Sequence, residues 1–382
     1  MLRPRSCIAA RLLSSTSVAP ISPLHRFLSA TAVSPNPSFA VEEYLVDTCG
    51  LTRAQALKAS IKLSHVKSPT NPDAVLAFLA GLGLFGADIA AVVTKDPKFL
   101  CAKVDKTLTP VVFGLTGLRL SRPEVARLVS ILPTEFCRRS IVSNLPYSMS
   151  LFGSYEKLLR ALKVNSHLLT CDLETTMMPN VAFLRECGLG DCDIAKLGRD
   201  VSRMLTADLE HLRAMVACAE RVGVPRGSGM FRKALHAVAS LGEEKIAVKV
   251  EYLKNRLRWS DAEVGIAVYK YPLFLAMSKE ILQSKSEFLI SDVGLEPAYI
   301  AQRSAMLPYS LEGRLRPRYN VVKFLKENGL LDHDRDYYAA VMVTEKVFVE
   351  KFICTHKEAA PHLGEDYEAA CRGEVPTRFR FA

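Results

Sequence analysis

Few residues in this chain have the type and spacing to do chemistry. Gly81-Leu82-Gly83-Leu84-Phe85-Gly86 has the spacing of a dinucleotide fingerprint, which works only if a strand precedes it and a helix follows, so that the backbone can approach a pyrophosphate. Gly83, however, occupies the slot that Gly188, Gly294 and Gly329 fill elsewhere, so a turn is expected there. The stretch from Gly223 to Gly229 lacks the Lys-Ser/Thr of a phosphate loop. The ten cysteines are scattered with no Cys-x-x-Cys, and the closest pair, Cys187 and Cys192, flanks a Gly-containing turn without a His pair nearby. They are expected to be reduced thiols packed in helices. His65, His167, His211, His236 and His333 fall at no metal-ligand spacing. No catalytic residue, cofactor, metal or small-molecule substrate is therefore expected, and the chain is not read as an enzyme. What remains is the basic cluster Arg314, Arg316 and Arg318. If Pro317 only kinks or restarts a helix, Arg314 and Arg318 share a face and Arg316 points about 160° away. The first two are expected to contact phosphates and the third to be silent.

The elements that position such residues are set by a repeat. From Trp259 to Leu330 one pattern occurs twice, with Pro272, Phe288-Leu289 and Gly294-Leu295 recurring 35 or 36 residues later as Pro308, Phe324-Leu325 and Gly329-Leu330. Phe78-Leu79, Phe183-Leu184 and Phe288-Leu289 stand 105 residues apart, three units of 35 each time. Pro97 to Pro133 is 36 residues, and Ser121 to Ser260 and Pro133 to Pro272 are both 139. A period of this size indicates stacked helical repeats sharing one core rather than separate globular domains.

Each unit is predicted to be two helices joined by a Pro-led turn. Ser121-Arg122-Pro123-Glu124 and Ser260-Asp261-Ala262-Glu263 fit capping boxes, and Leu120 with Val125 and Trp259 with Val264 fit hydrophobic staples. The Pro disfavours helix just before it and suits a new first turn, and the second helix stops at a left-handed Gly. Three middle stretches lack the Pro: Ser166-His167-Leu168-Leu169, Val201-Ser202-Arg203-Met204 and the region around Leu241.

The net charge of +10 is unevenly distributed. Residues 1–41 carry Arg3, Arg5, Arg11 and Arg26, eight Ser and no acid before Glu42, the composition of an organelle transit peptide. The Met-Leu-Arg opening points to mitochondria, with chloroplast as the alternative. Residues 331–382 hold seven cations against ten acids, which leaves +9 on residues 42–330. A basic array is the electrostatic footprint of a nucleic-acid binder. The longest apolar run, Ala74 to Ala87, is too short for the ~18 residues of a membrane span. In the tail, Thr344 offers a helix start, and Phe348 and Phe352 lie one turn apart. The partition is thus a transit peptide (1–41), a repeat array (42–330) and a helical cap and tail (331–382).

Lys270-Tyr271-Pro272-Leu273-Phe274-Leu275, Ser286-Glu287-Phe288-Leu289 through Gly294-Leu295, and Pro308-Tyr309-Ser310-Leu311-Glu312 through Arg314 and Pro317-Arg318 resemble the mitochondrial transcription termination factor (mTERF) family, particularly its plant members. Cys49-Gly50-Leu51-Thr52 with Ala56-Leu57-Lys58-Ala59-Ser60, and Asn71-Pro72-Asp73-Ala74-Val75-Leu76, are similar to the opening of those plant proteins. The likeness runs from about residue 43 to 370. It implies an all-α superhelical solenoid whose basic inner surface holds organellar double-stranded DNA and tunes or terminates transcription, or in plants holds RNA for splicing and processing. The cations assigned to that surface are Arg314, Arg318, Lys279, Arg303, Lys270, Arg138 and Arg139, in a chain expected to act as a monomer. At Gly313 the family commonly has a basic residue, so one phosphate contact is missing there. A pentatricopeptide-type RNA-reading array has the same period but not the Pro-plus-Leu marker. A protein-binding scaffold is the alternative of another class.

Overall fold

The computed structural model describes residues 39–374 apart from Ser202. The transit-peptide reading of residues 1–41 lies almost wholly outside these residues. No strand occurs among those described, and the helix Thr70–Gly81, not a strand, precedes Gly83. Gly83 ends that helix at φ +89°, which settles the glycine run as a turn.

The chain forms an all-α solenoid in which a first helix, a short connector and a second helix repeat. Clear examples are Ala87–Lys95, Pro97–Cys101 and Thr109–Gly117; Arg122–Ile131, Pro133–Phe136 and Ser140–Phe152; and Asp261–Lys270, Pro272–Ala276 and Lys279–Glu287. Pro97, Pro133 and Pro272 each open the connector, as expected from a residue with fixed φ and no N–H to leave unpaired. Two of the Pro-less stretches still form connectors, Ser166–Leu169 and Arg203–Thr206. In the third, Gly242 at φ +83° joins Phe231–Leu241 directly to Glu243–Leu257.

The expected caps are in place. Glu124 accepts from the Ser121 N–H at 2.8 Å and Glu263 from the Ser260 N–H at 2.8 Å, and a third box, Thr52 with Gln55, opens Arg53–Lys62. Leu79, Leu184, Leu289 and Leu325 of the Phe-Leu pairs are fully buried. Gly188, Gly294 and Gly329 take positive φ, as does Gly83.

First helices pack on successive first helices, second helices on second helices, and connectors on connectors, as where Pro133–Phe136 touches both Pro97–Cys101 and Ser166–Leu169. One continuous apolar core runs from Leu45 to Val341. A smaller cluster joins Val321, Val322 and Leu325 to Phe348, Phe352 and Tyr367 at the C-terminal end. Phe348 and Phe352 stack with centroids 4.9 Å apart.

Connectors are too short to pair their own last carbonyls, and those carbonyls face the interior. The second helix of the preceding unit supplies the missing donor. Asn71 Nδ2 donates to Leu100 O (2.8 Å) and Ala102 O (3.1 Å), Asn144 Nδ2 to Leu169 O (3.2 Å) and Cys171 O (2.8 Å), and Asn180 Nδ2 to Leu205 O (3.2 Å) and Ala207 O (2.8 Å). Farther along, Lys249 Nζ donates to Met277 O (2.5 Å) and Lys285 Nζ to Leu307 O (2.8 Å).

Three of these rungs keep a register. Lys249 and Lys285 lie seven residues after the helix-start positions Gly242 and Ser278. Asn180 lies eight after Asp172, because its helix begins with the π turn Leu173–Met177, closed by Met177 N–H to Asp172 O at 3.1 Å. Pro179 explains that turn: the proline ring would collide with the carbonyl four residues back, and one extra residue relieves the clash. Asn180 is fully buried. Asn180→Ala should cost about 2 kcal/mol by leaving two carbonyls unpaired. Asn180→Asp should cost more, because it sets a buried carboxylate against those carbonyls. Thermal denaturation of the two variants checks this order, and equal melting temperatures would remove the ladder from the account.

Candidate nucleic-acid interface

The seven cations expected at a nucleic-acid surface separate into two groups. Arg314 and Arg318 do share a face, but that face is turned inward. The helix repeats the Asn180 arrangement: Ser310 caps its start, Leu311–Leu315 is a π turn, Pro317 follows, and Arg318 lies eight residues after the cap. Arg318 is 0% exposed. Its Nη1 donates to Ala340 O (2.9 Å), Val341 O (3.1 Å) and Val343 O (2.7 Å), its Nη2 to Glu345 (2.7 Å), and its guanidinium lies 4.5 Å from the Phe348 ring centre. Arg314 donates to Val341 O (3.0 and 2.8 Å) and Val343 O (2.6 Å) and stacks 3.9 Å over Tyr309.

Both arginines are the last rungs of the ladder and hold the segment Tyr337–Met342. The expectation that Arg318 contacts phosphate is therefore corrected, since a buried guanidinium with its carbonyl and carboxylate partners in place offers no donor to solvent. Arg314 is committed to the same carbonyls. Burial would raise the Glu345 carboxyl, but hydrogen bonds from Arg318 and Tyr367 outweigh it and hold the carboxyl below its usual range. Burial, followed by the nearby Arg318 charge, lowers the pKa of Arg314. Arg316 does point to the other side, where it is half-buried, pairs with Asp292 (3.1 Å) and Glu312 (3.2 Å), and lies 4.7 Å over Phe288.

The other five cations gather on the connector edge. Arg138 and Arg139 are exposed between the connector Pro133–Phe136 and the helix Ser140–Phe152. Lys270 is the exposed last residue before the connector Pro272–Ala276, and Lys279 the exposed first residue of the helix after it. The side chains of Arg138, Arg139 and Lys270 make no hydrogen bond or ion pair among the described residues. Lys279 lies 5.5 Å from the Tyr252 ring. Arg303 immediately precedes the connector Ser304–Met306, stacks 4.2 Å over Tyr299 and pairs with Asp336 at 3.5 Å. Connectors touch one another from Pro97–Cys101 through Pro133–Phe136 and Ser166–Leu169 to Arg203–Thr206, and Lys270, Lys279 and Arg303 flank the corresponding connectors of later units.

Sequence reading missed two further arginines. Arg119 and Arg258 take positive φ (67° and 54°) at the ends of second helices, the slot filled by glycine at Gly83, Gly188, Gly223, Gly294 and Gly329. Both are exposed. Aligning those turns would have found them, since each is followed by an apolar residue, Leu120 or Trp259, as the glycines are.

Stacked helix-connector-helix units with a cation-bearing connector edge and no strand among the described residues define an α-solenoid of the kind that carries extended binding surfaces. The mTERF family model matches residues 70–348, and the chain belongs to the mTERF family. It is 23% identical over 294 residues to an Arabidopsis thaliana protein named transcription termination factor MTEF18, mitochondrial, covering 76% of this chain and 50% of that protein. It is 22% identical over 275 residues to the Arabidopsis thaliana transcription termination factor MTERF8, chloroplastic, covering 70% and 53%. The chain spans about half the length of these curated relatives. Among the described residues, no helix is long and apolar enough to cross a membrane.

Arg318→Ala should destabilise the C-terminal end by about 3 kcal/mol, because it strips the donor from three carbonyls and leaves Glu345 without its guanidinium. Limited proteolysis checks it: cleavage within residues 337–371 should accelerate while the N-terminal units stay protected. Arg258→Gly should hold or raise stability, by up to about 1 kcal/mol, because it removes an αL penalty at some cost in unfolded-state entropy. A clear fall in melting temperature would mean that the Arg258 side chain itself stabilises the turn.

Proposed function

We propose that this chain is an organellar nucleic-acid-binding regulator that grips double-stranded DNA along its basic connector edge and acts in organellar transcription. The observation that carries the reading is the set Arg138, Arg139, Lys270 and Lys279, exposed on one edge of a solenoid, the first three without a carboxylate partner among the described residues. Cations so placed displace condensed counterions from phosphates and give salt-sensitive, largely sequence-blind affinity. Arg303 extends the row, with its charge shared with Asp336. The mitochondrial and chloroplastic names of the relatives support an organellar site of action, and the Arg- and Ser-rich residues 1–41 agree with it. The Met-Leu-Arg opening favours mitochondria.

No step of this function needs bond chemistry. A rigid stack that follows a duplex over several units obstructs or positions a polymerase by occupancy alone, and sequence choice comes from base edges or duplex shape. The test is a salt series on a duplex with the full chain. Arg138→Ala with Arg139→Ala, and separately Lys270→Ala with Lys279→Ala, should each reduce the slope of log affinity against log salt by about two, at ~0.9 per phosphate contact. Melting temperatures should change little, because these side chains are exposed and Lys279 gives up no more than its contact with the Tyr252 ring. Unchanged slopes in both double variants would move the interface off this edge. Tighter binding of structured RNA than of duplex DNA would assign the same edge to RNA processing, and the absence of salt-sensitive retention of either would leave a protein scaffold.

A further inference from the structure

A cavity of about 300 Å³ lies on the opposite, first-helix side of the stack, between Tyr155–Val164 and Asp191–Asp200 and against the C-terminal end of Ser140–Phe152. Its floor is apolar, made by Leu151 and Phe152. Four cations line it, Lys157 and Arg160 from one helix and Lys196 and Arg199 from the next, and no carboxylate does. The carboxylates nearest in sequence are engaged elsewhere or shared. Glu156 pairs with Arg127 (2.5 Å) and Asp191 with Arg185 (2.7 Å). Asp193 is divided between Lys196 (3.1 Å) and Arg232 (3.3 Å), and Asp200 between Arg199 (2.8 Å) and Arg232 (4.0 Å). Lys157 and Arg160 make no ion pair among the described residues, so the site holds an uncompensated positive charge.

The floor is built for depth. Gly198 of Asp191–Asp200 packs beneath it, where an added Cβ would stand 2.5 Å from Leu205 and 3.0 Å from the Phe152 ring.

We propose that this cavity binds a phosphomonoester with an apolar or aromatic body, of mononucleotide size. A dianionic phosphate suits cations arriving in pairs from two helices, with Arg160 able to bind it in bidentate fashion and Arg199 sharing its guanidinium with Asp200. A purely inorganic anion would leave the apolar floor wet. The volume stands at the small end of the ~300–1,000 Å³ range of small-molecule pockets, which favours a single nucleotide unit over a larger ligand. The unit can be free or the phosphorylated end of a single strand, where the phosphate is a monoester too and the chemistry of recognition is the same.

Cys192 is exposed and lines the cavity, so it reports occupancy. The experiment is alkylation of the full chain by iodoacetamide, followed at Cys192 by peptide mass spectrometry, with the exposed Cys354 as the internal control. AMP should slow the modification of Cys192 but not of Cys354, and inorganic phosphate should need a roughly tenfold higher concentration for the same protection, a factor worth ~1.4 kcal/mol. Lys157→Gln with Arg160→Gln should weaken AMP protection about tenfold or more, and Ala195→Trp, which fills the cavity, should abolish it. Both variants should keep the wild-type salt slope on a duplex, which separates this site from the connector edge. A 5′-phosphorylated dinucleotide that protects better than AMP would identify the phosphorylated end of a strand as the ligand, and a weaker one would identify the free species. Absence of AMP protection at millimolar concentration, or protection that survives Ala195→Trp or is matched by phosphate alone, would overturn the proposal whatever the duplex binding shows.

Discussion

Connectors of three to five residues end in carbonyl groups that have no partner of their own and face the interior of the stack. Leaving a buried carbonyl unpaired costs about 1–3 kcal/mol, and a solenoid repeats that cost at every unit. The donors sent forward by Asn71, Asn144, Asn180, Lys249, Lys285, Arg314 and Arg318 meet it. Each bond also ties one unit to the next, because a donor fixed on a helix must reach a particular carbonyl of the following connector. Where the slot is apolar, as at Val111, eight residues after the start position Lys103, no such rung forms. There the first helices are tied instead, by Lys95 Nζ donating to Ile131 O.

The same ladder changes how the charge of the chain should be understood. In the N-terminal half the donor is a neutral amide, and in the C-terminal half it is a cation. Lys249 and Lys285 have lowered pKa values, with burial the leading cause in both. Four positive charges of the array, these two lysines with Arg314 and Arg318, are thus structural and face carbonyls. Others are neutralised in ion pairs such as Arg185 with Asp191 and Arg226 with Glu220. The surplus that can meet phosphate is smaller than the sum over the sequence, and part of it lies at the connector edge and around the cavity between the first helices.

The 35-residue period, the capping boxes at Ser121 and Ser260 and the left-handed glycines were legible in the sequence because each is a local rule: amide satisfaction at a helix start, the φ of a residue without Cβ, the clash of a proline ring. Those rules, repeated, define an α-solenoid, and the face relation of Arg314, Arg316 and Arg318 followed from helix geometry in the same way. Which way the Arg314 and Arg318 face turns was decided only by the tertiary structure. Nothing within residues 311–318 says that the carbonyls of Ala340, Val341 and Val343 will lie beside it, because that contact spans more than twenty residues and depends on stacking. A partial signal existed, since setting Leu173 through Asn180 beside Leu311 through Arg318 places Arg318 on the buried Asn180. An amide and a guanidinium do not look alike in sequence. They become equivalent only where a donor must reach a carbonyl inside the stack.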